Sequence, residues 1–190
     1  MKNYSSYFIG IPLLRKYQQE FEDIQIDVSR ISPLFKTTYP KTPHITVYYL
    51  AKQSQSALPE IVEDVKKHLE ILKGAKLKVG GLGFFGEDKP RVLFLDVQYP
   101  KQLKEFNKVL SKSLSNYYAS DNDLPFHPHV SLAWVGDPEA QIAFKASLSE
   151  LKSRLKEINW TFDITELVLY GVDSSQNPEY HKKLISIAVE

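Results

Sequence analysis

Two things are missing from this sequence of 190 residues: cysteine and any long hydrophobic run. Without cysteine the chain has no disulfide, no thiolate metal site and no cysteine nucleophile. No segment approaches the roughly 18 consecutive apolar residues that a membrane-spanning helix needs. The first residues, Met1–Ser6, also lack the apolar stretch of a signal peptide. We therefore expect a soluble, cytoplasmic protein with no membrane partner.

The sequence also lacks an excess of charge of either sign, since 24 Lys and Arg stand against 23 Asp and Glu, a formal net charge of +1. Such a chain is not expected to coat long nucleic acid through bulk charge. A small basic pocket that takes one phosphate or one RNA end remains compatible with this balance. The hydrophobic content of 43% is ordinary for a globular protein, and the length suits one domain or two small lobes.

Hydrophobic periodicity predicts strands and helices in the order β-α-β-α-β-β-α-β-α-β-β-β. The predicted strands are Tyr7–Ile11, His44–Leu50, Ala75–Val79, Arg91–Val97, His129–Trp134, Trp160–Ile164, Glu166–Tyr170 and Leu184–Val189. The predicted helices run from Leu13 to about Ile26, from Pro59 to a C-cap at Gly74, over Pro100–Tyr118, and from the N-cap pair Asp137-Pro138 to about Lys156. Gly80–Gly86 is predicted to be a flexible connection and Ala119–Asp123 a polar loop. No linker divides the chain, so we interpret residues 1–190 as a single domain and expect a monomer.

One pentapeptide pattern occurs twice, as Pro43-His44-Ile45-Thr46-Val47 and as Pro128-His129-Val130-Ser131-Leu132. In a strand, side chains two residues apart point to the same face, so each histidine shares a face with its hydroxyl residue. Each copy follows a predicted strand and helix, which is a weak internal repeat. The repeat predicts two similar α+β lobes, each of which contributes one histidine and one hydroxyl to a common cleft.

This set of side chains suits acid–base chemistry on a phosphate. Because the unperturbed pKa of histidine is near 6.5, we expect one imidazole to be neutral and the other protonated near neutral pH, so that one acts as the base and the other as the acid. The hydroxyls of Thr46 and Ser131 would hold the non-bridging phosphate oxygens. We predict that His44 and His129 are the acid–base pair, with their order open. The alternative is that both are structural histidines at strand ends, held by backbone hydrogen bonds.

The spacing of His127 and His129 also resembles that of metal ligands. A zinc site would need further ligands, and the nearest carboxylates, Asp121 and Asp123, lie in a predicted loop. We therefore predict no metal and interpret His127 as a residue at the rim that contacts a nucleobase. The Gly81-Leu82-Gly83 segment lacks the strand-to-helix setting of a dinucleotide fingerprint, so no cofactor is predicted.

Several other residues are candidates for substrate binding. Arg91 would meet phosphate oxygens with its forked guanidinium, and Lys41 is a weaker candidate of the same kind. A nucleobase would stack on an aromatic side chain of the cleft. The aromatic candidates are Tyr48, Phe84 and Trp134, for each of which packing in the core is the alternative. His68 and His181 are predicted to be surface residues.

These motifs resemble the 2H phosphoesterase superfamily, which includes the 2′,3′-cyclic phosphodiesterases once called 2′,5′-RNA ligases. The resemblance extends in order over Phe8–Pro12, Pro43–Leu50, Gly81–Val97, Phe126–Trp134 and Glu166–Tyr170. It implies an α+β fold in which two pseudo-symmetric β-sheet lobes with outer helices surround a central cleft. It also implies a metal-independent phosphodiesterase that opens 2′,3′-cyclic phosphates on RNA ends or small nucleotides.

The second motif, Phe126–Trp134, is also similar to that of the spliceosomal phosphodiesterases that trim small-RNA 3′ ends. Ser131 departs from the commoner pattern of two threonines, although either hydroxyl donates to phosphate. The open alternatives are hydrolysis of 2′,5′-linked or cyclic oligonucleotides, RNA 3′-end trimming, and a non-catalytic nucleotide- or RNA-binding module. A metal-dependent hydrolase is a further rival, which loss of activity in chelator would indicate.

Overall fold

Strands and helices alternate along the part of the chain that the computed structural model describes, residues 4–117, 119 and 123–190. The strands are β1 (Ser6–Pro12), β2 (Lys36–Thr37), β3 (His44–Leu50), β4 (Lys76–Phe85), β5 (Val92–Gln98), β6 (His129–Trp134), β7 (Trp160–Asp163), β8 (Glu166–Asp173) and β9 (Tyr180–Ala188). The α-helices are α1 (Gln18–Ile31), α2 (Leu58–Lys66), α3 (Lys101–Ser113) and α4 (Pro138–Leu155). The predicted order of elements is confirmed, with the two-residue strand β2 in addition. The predicted helix end at Tyr118 and most of the predicted loop Ala119–Asp123 lie outside the described residues.

The described strands form one antiparallel sheet in the order β7-β4-β5-β6-β3-β1-β8-β9, with β2 paired to β6. The two motif strands, β3 and β6, lie at its centre and pair at Ile45 and Val130. Three strands flank this pairing on each side, β1, β8 and β9 on one and β5, β4 and β7 on the other. The curled sheet thus has two matching halves, which confirms the predicted α+β fold with two pseudo-symmetric lobes.

One face of the motif strands belongs to the hydrophobic core. The residues on this face are Ile45, Val47, Val130 and Leu132, none of which is more than 2% exposed. Helix α3 lies against β3, where the side-chain amide of Asn107 donates to the carbonyl of Val47 at 2.7 Å. Burial of each apolar side chain contributes about 1.5–3 kcal/mol, which holds the strands with this face inward. His44, Thr46 and their counterparts in β6 are thereby directed to the opposite face.

The prediction of a flexible connection at Gly80–Gly86 is wrong. Strand β4 continues through these glycines to Phe85 and pairs with β5. Gly83 lies opposite Phe94, and a Cβ at Gly83 would come within 2.1 Å of the Phe94 ring. A glycine there lets an aromatic ring lie across the strand, so close packing and not flexibility explains the residue type.

Several element boundaries differ from the predicted ones. Helix α1 begins at Gln18, after a 3-10 turn over Arg15–Tyr17, and continues to Ile31. Strands β8 and β9 are longer than predicted because they pair along a hairpin as far as Asp173 and Tyr180. Among the described residues, no helix has the length and apolar character to cross a membrane.

Asp137 occupies the predicted N-cap position of α4, but its carboxylate does not cap the helix. The carboxylate instead accepts a hydrogen bond from Nζ of Lys36 on β2, at 2.7 Å. Both side chains are more than half exposed. This exposed ion pair therefore links β2 to α4 with little effect on stability.

Candidate active site

A cavity of about 270 Å³ lies where the two motif strands meet. His44, Thr46, His129 and Ser131 all line it, and each of these side chains is half-buried. The remaining walls come mainly from β1, residues 38–43 and the β8–β9 hairpin. A larger and more open depression of about 390 Å³ lies beside α1. No histidine lines that depression. The smaller cavity, which the motif residues line, is therefore the candidate site.

The two motif histidines are held in the same way. Nδ1 of His44 lies 2.8 Å from the carbonyl oxygen of Thr42, and Nδ1 of His129 lies 2.8 Å from that of His127. In each motif the carbonyl belongs to the residue just before the proline, where the backbone is restricted to extended conformations. A neutral imidazole that donates from Nδ1 has its lone pair on Nε2. Both rings therefore present Nε2 as the nitrogen free for chemistry.

Burial lowers the pKa of both imidazoles. Burial, reinforced by the neighbouring His181, lowers the pKa of His44 to about 3. Burial also lowers the pKa of His129, but the hydrogen bond to the His127 carbonyl and the charge of Asp96 oppose that effect. Both rings are therefore neutral at neutral pH while the cavity is empty. This differs from the sequence-based expectation of one neutral and one protonated ring, because that expectation used the pKa of an exposed histidine.

Aromatic side chains cause this burial. The ring of His44 stacks on Phe8 at 4.5 Å between centroids, and Phe8 in turn stacks on Tyr170 at 4.7 Å. The ring of His129 lies 4.9 Å from both Phe85 and Phe94. Each lobe therefore supplies its histidine with two nearby aromatic rings that exclude water. In such an environment a charged phosphate interacts strongly with the imidazoles.

A bulge in β3 corrects the prediction for Tyr48. Gly10 of β1 pairs with Thr46 and Ile9 pairs with Tyr48, so Val47 is an extra residue in β3. An extra residue reverses the alternation of side chains beyond it. Tyr48 is consequently 1% exposed in the core, and Tyr49 lines the cavity instead.

The same irregularity recurs in β6, where Phe94 pairs with Ser131 and Leu93 pairs with Ala133. Leu132 is therefore the extra residue, at the position equivalent to Val47. Trp134 consequently corresponds to Tyr49, and its side chain is 47% exposed. Trp134 does not line the cavity, so any contact that it makes with a substrate lies outside the cavity.

Two other predicted binding residues also lie away from the cavity. The ring of Phe84 packs against Phe144 of α4 at 5.1 Å, so the prediction that Phe84 faces the cleft is wrong. The next residue, Phe85, occupies that face beside His129, since side chains alternate along β4. Arg91 is exposed at the start of β5 and is not among the residues that line the cavity.

His127 lies beside the cavity but does not line it. Its Nε2 is 3.2 Å from a carboxylate oxygen of Asp96, and both side chains are about half exposed. Lys41 is an exposed residue whose Nζ lies 3.6 Å from Glu22. Among residues 4–117, 119 and 123–190, no group of three His, Asp or Glu side chains could hold a metal ion.

Sequence reasoning missed His181, which was predicted to lie on the surface. Its ring lines the cavity and meets the ring of His44 nearly edge-on, at 4.9 Å and 85°. His181 is on β9, which is far from β3 in the sequence and reaches His44 only through the pairing of β1 with β8 and of β8 with β9. No local pattern marks it, because His181 has neither the proline nor the hydroxyl residue of the two motifs.

Comparison with known proteins identifies the family. TT0787 of Thermus thermophilus superposes with a TM-score of 0.73 over 97% of each chain, at 17% identity. Escherichia coli LigT complexed with 3′-AMP superposes with a TM-score of 0.73 over 98% of each chain at 18% identity, and its phosphate complex with 0.66 over 99% of each chain at 16% identity. These structures share the fold. None of the curated proteins matches the sequence. The profile of the 2′-5′ RNA ligase superfamily matches residues 14–176, and the chain therefore belongs to this superfamily, the 2H phosphoesterases.

Proposed function

We propose that this protein is a metal-independent phosphodiesterase in which His44 and His129 are the acid–base pair. Membership of the 2H phosphoesterase superfamily supports phosphodiesterase chemistry on RNA or nucleotides. The observation that carries the specific proposal is that two imidazoles and two hydroxyls, one of each per lobe, line one cavity. The reaction that we assign is hydrolysis of a 2′,3′-cyclic phosphate on an RNA end or a small nucleotide.

In this reaction a water molecule attacks the phosphorus atom, and a new P–O bond forms. One histidine takes the proton of the water through Nε2, while the other donates a proton to the ribose oxygen. The P–O bond to that ribose oxygen breaks, and the product is a phosphate monoester with a free ribose hydroxyl. The hydroxyls of Thr46 and Ser131 donate to the two non-bridging oxygens and stabilise the charge that develops on them.

The surroundings of the two rings support an assignment of their roles. Burial and, after it, the charges of His181 and Lys183 lower the pKa of His44, which keeps that imidazole in the neutral form that a general base needs. Burial and the charge of His127 lower the pKa of His129 as well, but its hydrogen bond to the His127 carbonyl and the carboxylate of Asp96 act in the opposite direction and favour its protonated form. We therefore assign His44 as the general base and His129 as the general acid. The phosphate anion itself adds to the charge that favours protonated His129.

The size of the cavity supports a small substrate. At about 270 Å³ it is close to the lower end of the range of small-molecule sites, about 300–1,000 Å³. Two of the LigT structures that share the fold contain 3′-AMP and phosphate. We propose that the cavity accepts a ligand of that kind, one phosphorylated nucleoside at a time, whether free or at the end of an RNA.

The test is incubation with 2′,3′-cyclic nucleotides, 2′,5′-linked and cyclic dinucleotides and short RNAs, with products identified by mass. We expect the cyclic phosphates to gain one water and become monoesters, with full activity in EDTA. The variants H44A and H129A should each lose activity by about 10²- to 10⁴-fold and remain folded. H68A is the matched control, because His68 lies outside the cavity. Nucleotide binding without any turnover would contradict the proposal.

A further inference from the structure

The cavity contains a third imidazole, that of His181, which the proposed chemistry does not use. Its ring lies 4.9 Å from that of His44 and 5.4 Å from that of Phe8, nearly perpendicular to both. A phosphate that lies beside Nε2 of His44 extends its oxygens over a few ångströms. The close packing of the two rings brings His181 within reach of such a ligand.

His181 differs from the two motif histidines in its hydrogen bonds. His44 and His129 each use Nδ1 to bind a backbone carbonyl. Among the described residues, neither ring nitrogen of His181 has a hydrogen-bond partner. Neither nitrogen is completely buried, because His181 has no side-chain nitrogen that is both fully buried and unpaired. Both nitrogens of His181 are therefore available to a ligand.

The surroundings of His181 favour an anion. Lys183 lies two residues further along β9, on the same face of the strand, and its charge acts on His44. Within the described chain the ammonium of Lys183 forms no ion pair. Of the described carboxylates only Glu179 lines the cavity, at the end where the β8–β9 hairpin enters β9. The imidazole of His181 thus lines the half of the cavity that holds His44, and the charge of Lys183, which lies outside the cavity lining, acts on that same half.

Among residues 4–117, 119 and 123–190, the second lobe has no equivalent group in the cavity lining. His127 is the histidine nearest to His129, at 6.4 Å between ring centroids, but it lies outside the cavity lining and pairs with Asp96. The site is therefore asymmetric, although the two motifs that form its centre are alike. A third group that contacts the ligand on one side only would fix the orientation in which a phosphorylated nucleoside binds.

We propose that His181 is a phosphate-binding residue, which donates a hydrogen bond from its imidazole to a phosphoryl oxygen on the side of His44. This inference rests on the proposed function in one respect, that the phosphate lies between His44 and His129. It deepens that function by assigning to β9 a third contact with the anion, one that the repeated motifs do not provide.

The experiment measures the affinity of inorganic phosphate by calorimetry for the wild-type protein, H181F, H181N and H68F. Phenylalanine retains the ring packing against Phe8 and His44 but has no nitrogen, whereas asparagine retains a donor. Because a hydrogen bond to a charged group is removed, H181F should bind phosphate about ten- to a hundredfold more weakly. H181N should recover part of this loss, and H68F should match the wild type.

With a substrate from the panel above, H181F should raise KM by a similar factor and change kcat less than KM. A purely structural role of His181 would not raise KM more than it changes kcat, and it would not let H181N recover affinity for phosphate. Affinity of H181F for phosphate within twofold of the wild type would overturn the inference, as would a wild-type protein that does not bind phosphate. If every substrate remains intact, the proposed function fails, but the phosphate titrations still decide the role of His181.

If H181F does not fold, as judged by circular dichroism, nitrogen-detected NMR of the wild-type histidines replaces it. Addition of phosphate should then shift the ring-nitrogen resonances of His181 together with those of His44 and His129, while those of His68 stay constant. Ring-nitrogen resonances of His181 that do not move at saturating phosphate would overturn the inference.

Discussion

At the scale of single residues, the site depends on how two imidazoles are oriented and desolvated. The proline before each histidine keeps the chain extended, and the preceding carbonyl then accepts a hydrogen bond from Nδ1. Aromatic neighbours remove water from the rings, which lowers the pKa of both. These two effects have a measurable consequence for stability.

We predict that His44 makes the folded state less stable in mild acid. Burial lowers its pKa to about 3 in the folded protein, whereas the unfolded chain has a histidine pKa near 6.5. Between these values the unfolded chain binds a proton that the folded chain does not, so the stability is complete above about pH 6.5 and falls as the pH decreases toward 3. At about pH 5 the loss should be on the order of 1–2 kcal/mol.

Urea unfolding of the wild type and of H44F at neutral pH and at about pH 5 measures this effect. The variant should lose less stability on acidification than the wild type, while H68F should behave as the wild type does. Other groups titrate equally in all three proteins, so the difference between them isolates His44. Equal losses in the wild type and H44F would show that the ring is not held neutral by burial.

At the scale of elements, the bulge in β3 gives two adjacent tyrosines opposite roles. Tyr48 is in the core and Tyr49 lines the cavity. We predict that Y48A loses about 3–5 kcal/mol of unfolding free energy, as expected for an aromatic core residue. Y49A should remain stable and instead raise KM, since stacking of a base contributes about 1–3 kcal/mol. Urea unfolding and steady-state kinetics on both variants test this prediction. If β3 were a regular strand without the bulge, Y49A would lose stability and Y48A would raise KM.

The glycine in β4 opposite Phe94 should also be intolerant of a side chain. A Cβ at Gly83 would lie 2.1 Å from the Phe94 ring, which itself contacts His129. We predict that G83A destabilises the protein by about 1–3 kcal/mol, as overpacking does, and also lowers activity through displacement of Phe94.

The control for this prediction is a double-mutant cycle with F94L, measured by denaturant unfolding. Because leucine leaves room for the added methyl group, G83A should cost clearly less in the F94L background than in the wild type. Additive effects of the two substitutions would mean that Gly83 is required for its backbone conformation and not for the ring of Phe94.

At the scale of the whole molecule, two lobes share one site. Their strands join in one sheet at β3 and β6, and each lobe provides one motif imidazole to the cavity. An anion in that cavity contacts both halves and should therefore stabilise the entire fold by ligand linkage. Since both motif imidazoles are neutral in the empty cavity, binding of an anion should be coupled to proton uptake.

We predict that sulfate raises the melting temperature more at about pH 6 than at about pH 8, because a bound dianion raises the pKa of the imidazoles and favours their protonated forms. Each additional kcal/mol of unfolding free energy should raise the melting temperature by about 2–4 °C for a chain of this length. Melting curves at matched ionic strength, with chloride in place of sulfate, provide the measurement.

Sulfate also stabilises proteins through exclusion from their surfaces, so the control is the double variant H44F/H129F. This variant should retain the general effect of sulfate and lose its dependence on pH. A dependence on pH that survives in the double variant would assign the effect to groups other than the two motif histidines.

Features of the fold and of the site that depend on neighbouring residues in the sequence were predicted correctly. The spacing of Pro43, His44 and Thr46, and its repetition at Pro128, His129 and Ser131, depends only on strand geometry. Tyr48 was assigned to the wrong face because a bulge is decided by the pairing partner, here β1. Gly83 was assigned to a loop because the ring that needs its space belongs to β5.

The two motifs, the faces on which their histidines and hydroxyls lie, and the order of strands and helices follow from the periodicity of the chain, so they are evident without coordinates. Three further features depend on how the chain packs: both motifs line one cavity, aromatic residues around His44 and His129 lower the pKa of each, and His181 joins them from β9. The reason is physical: desolvation and proximity depend on which distant segments pack together, and no short stretch of sequence contains that information.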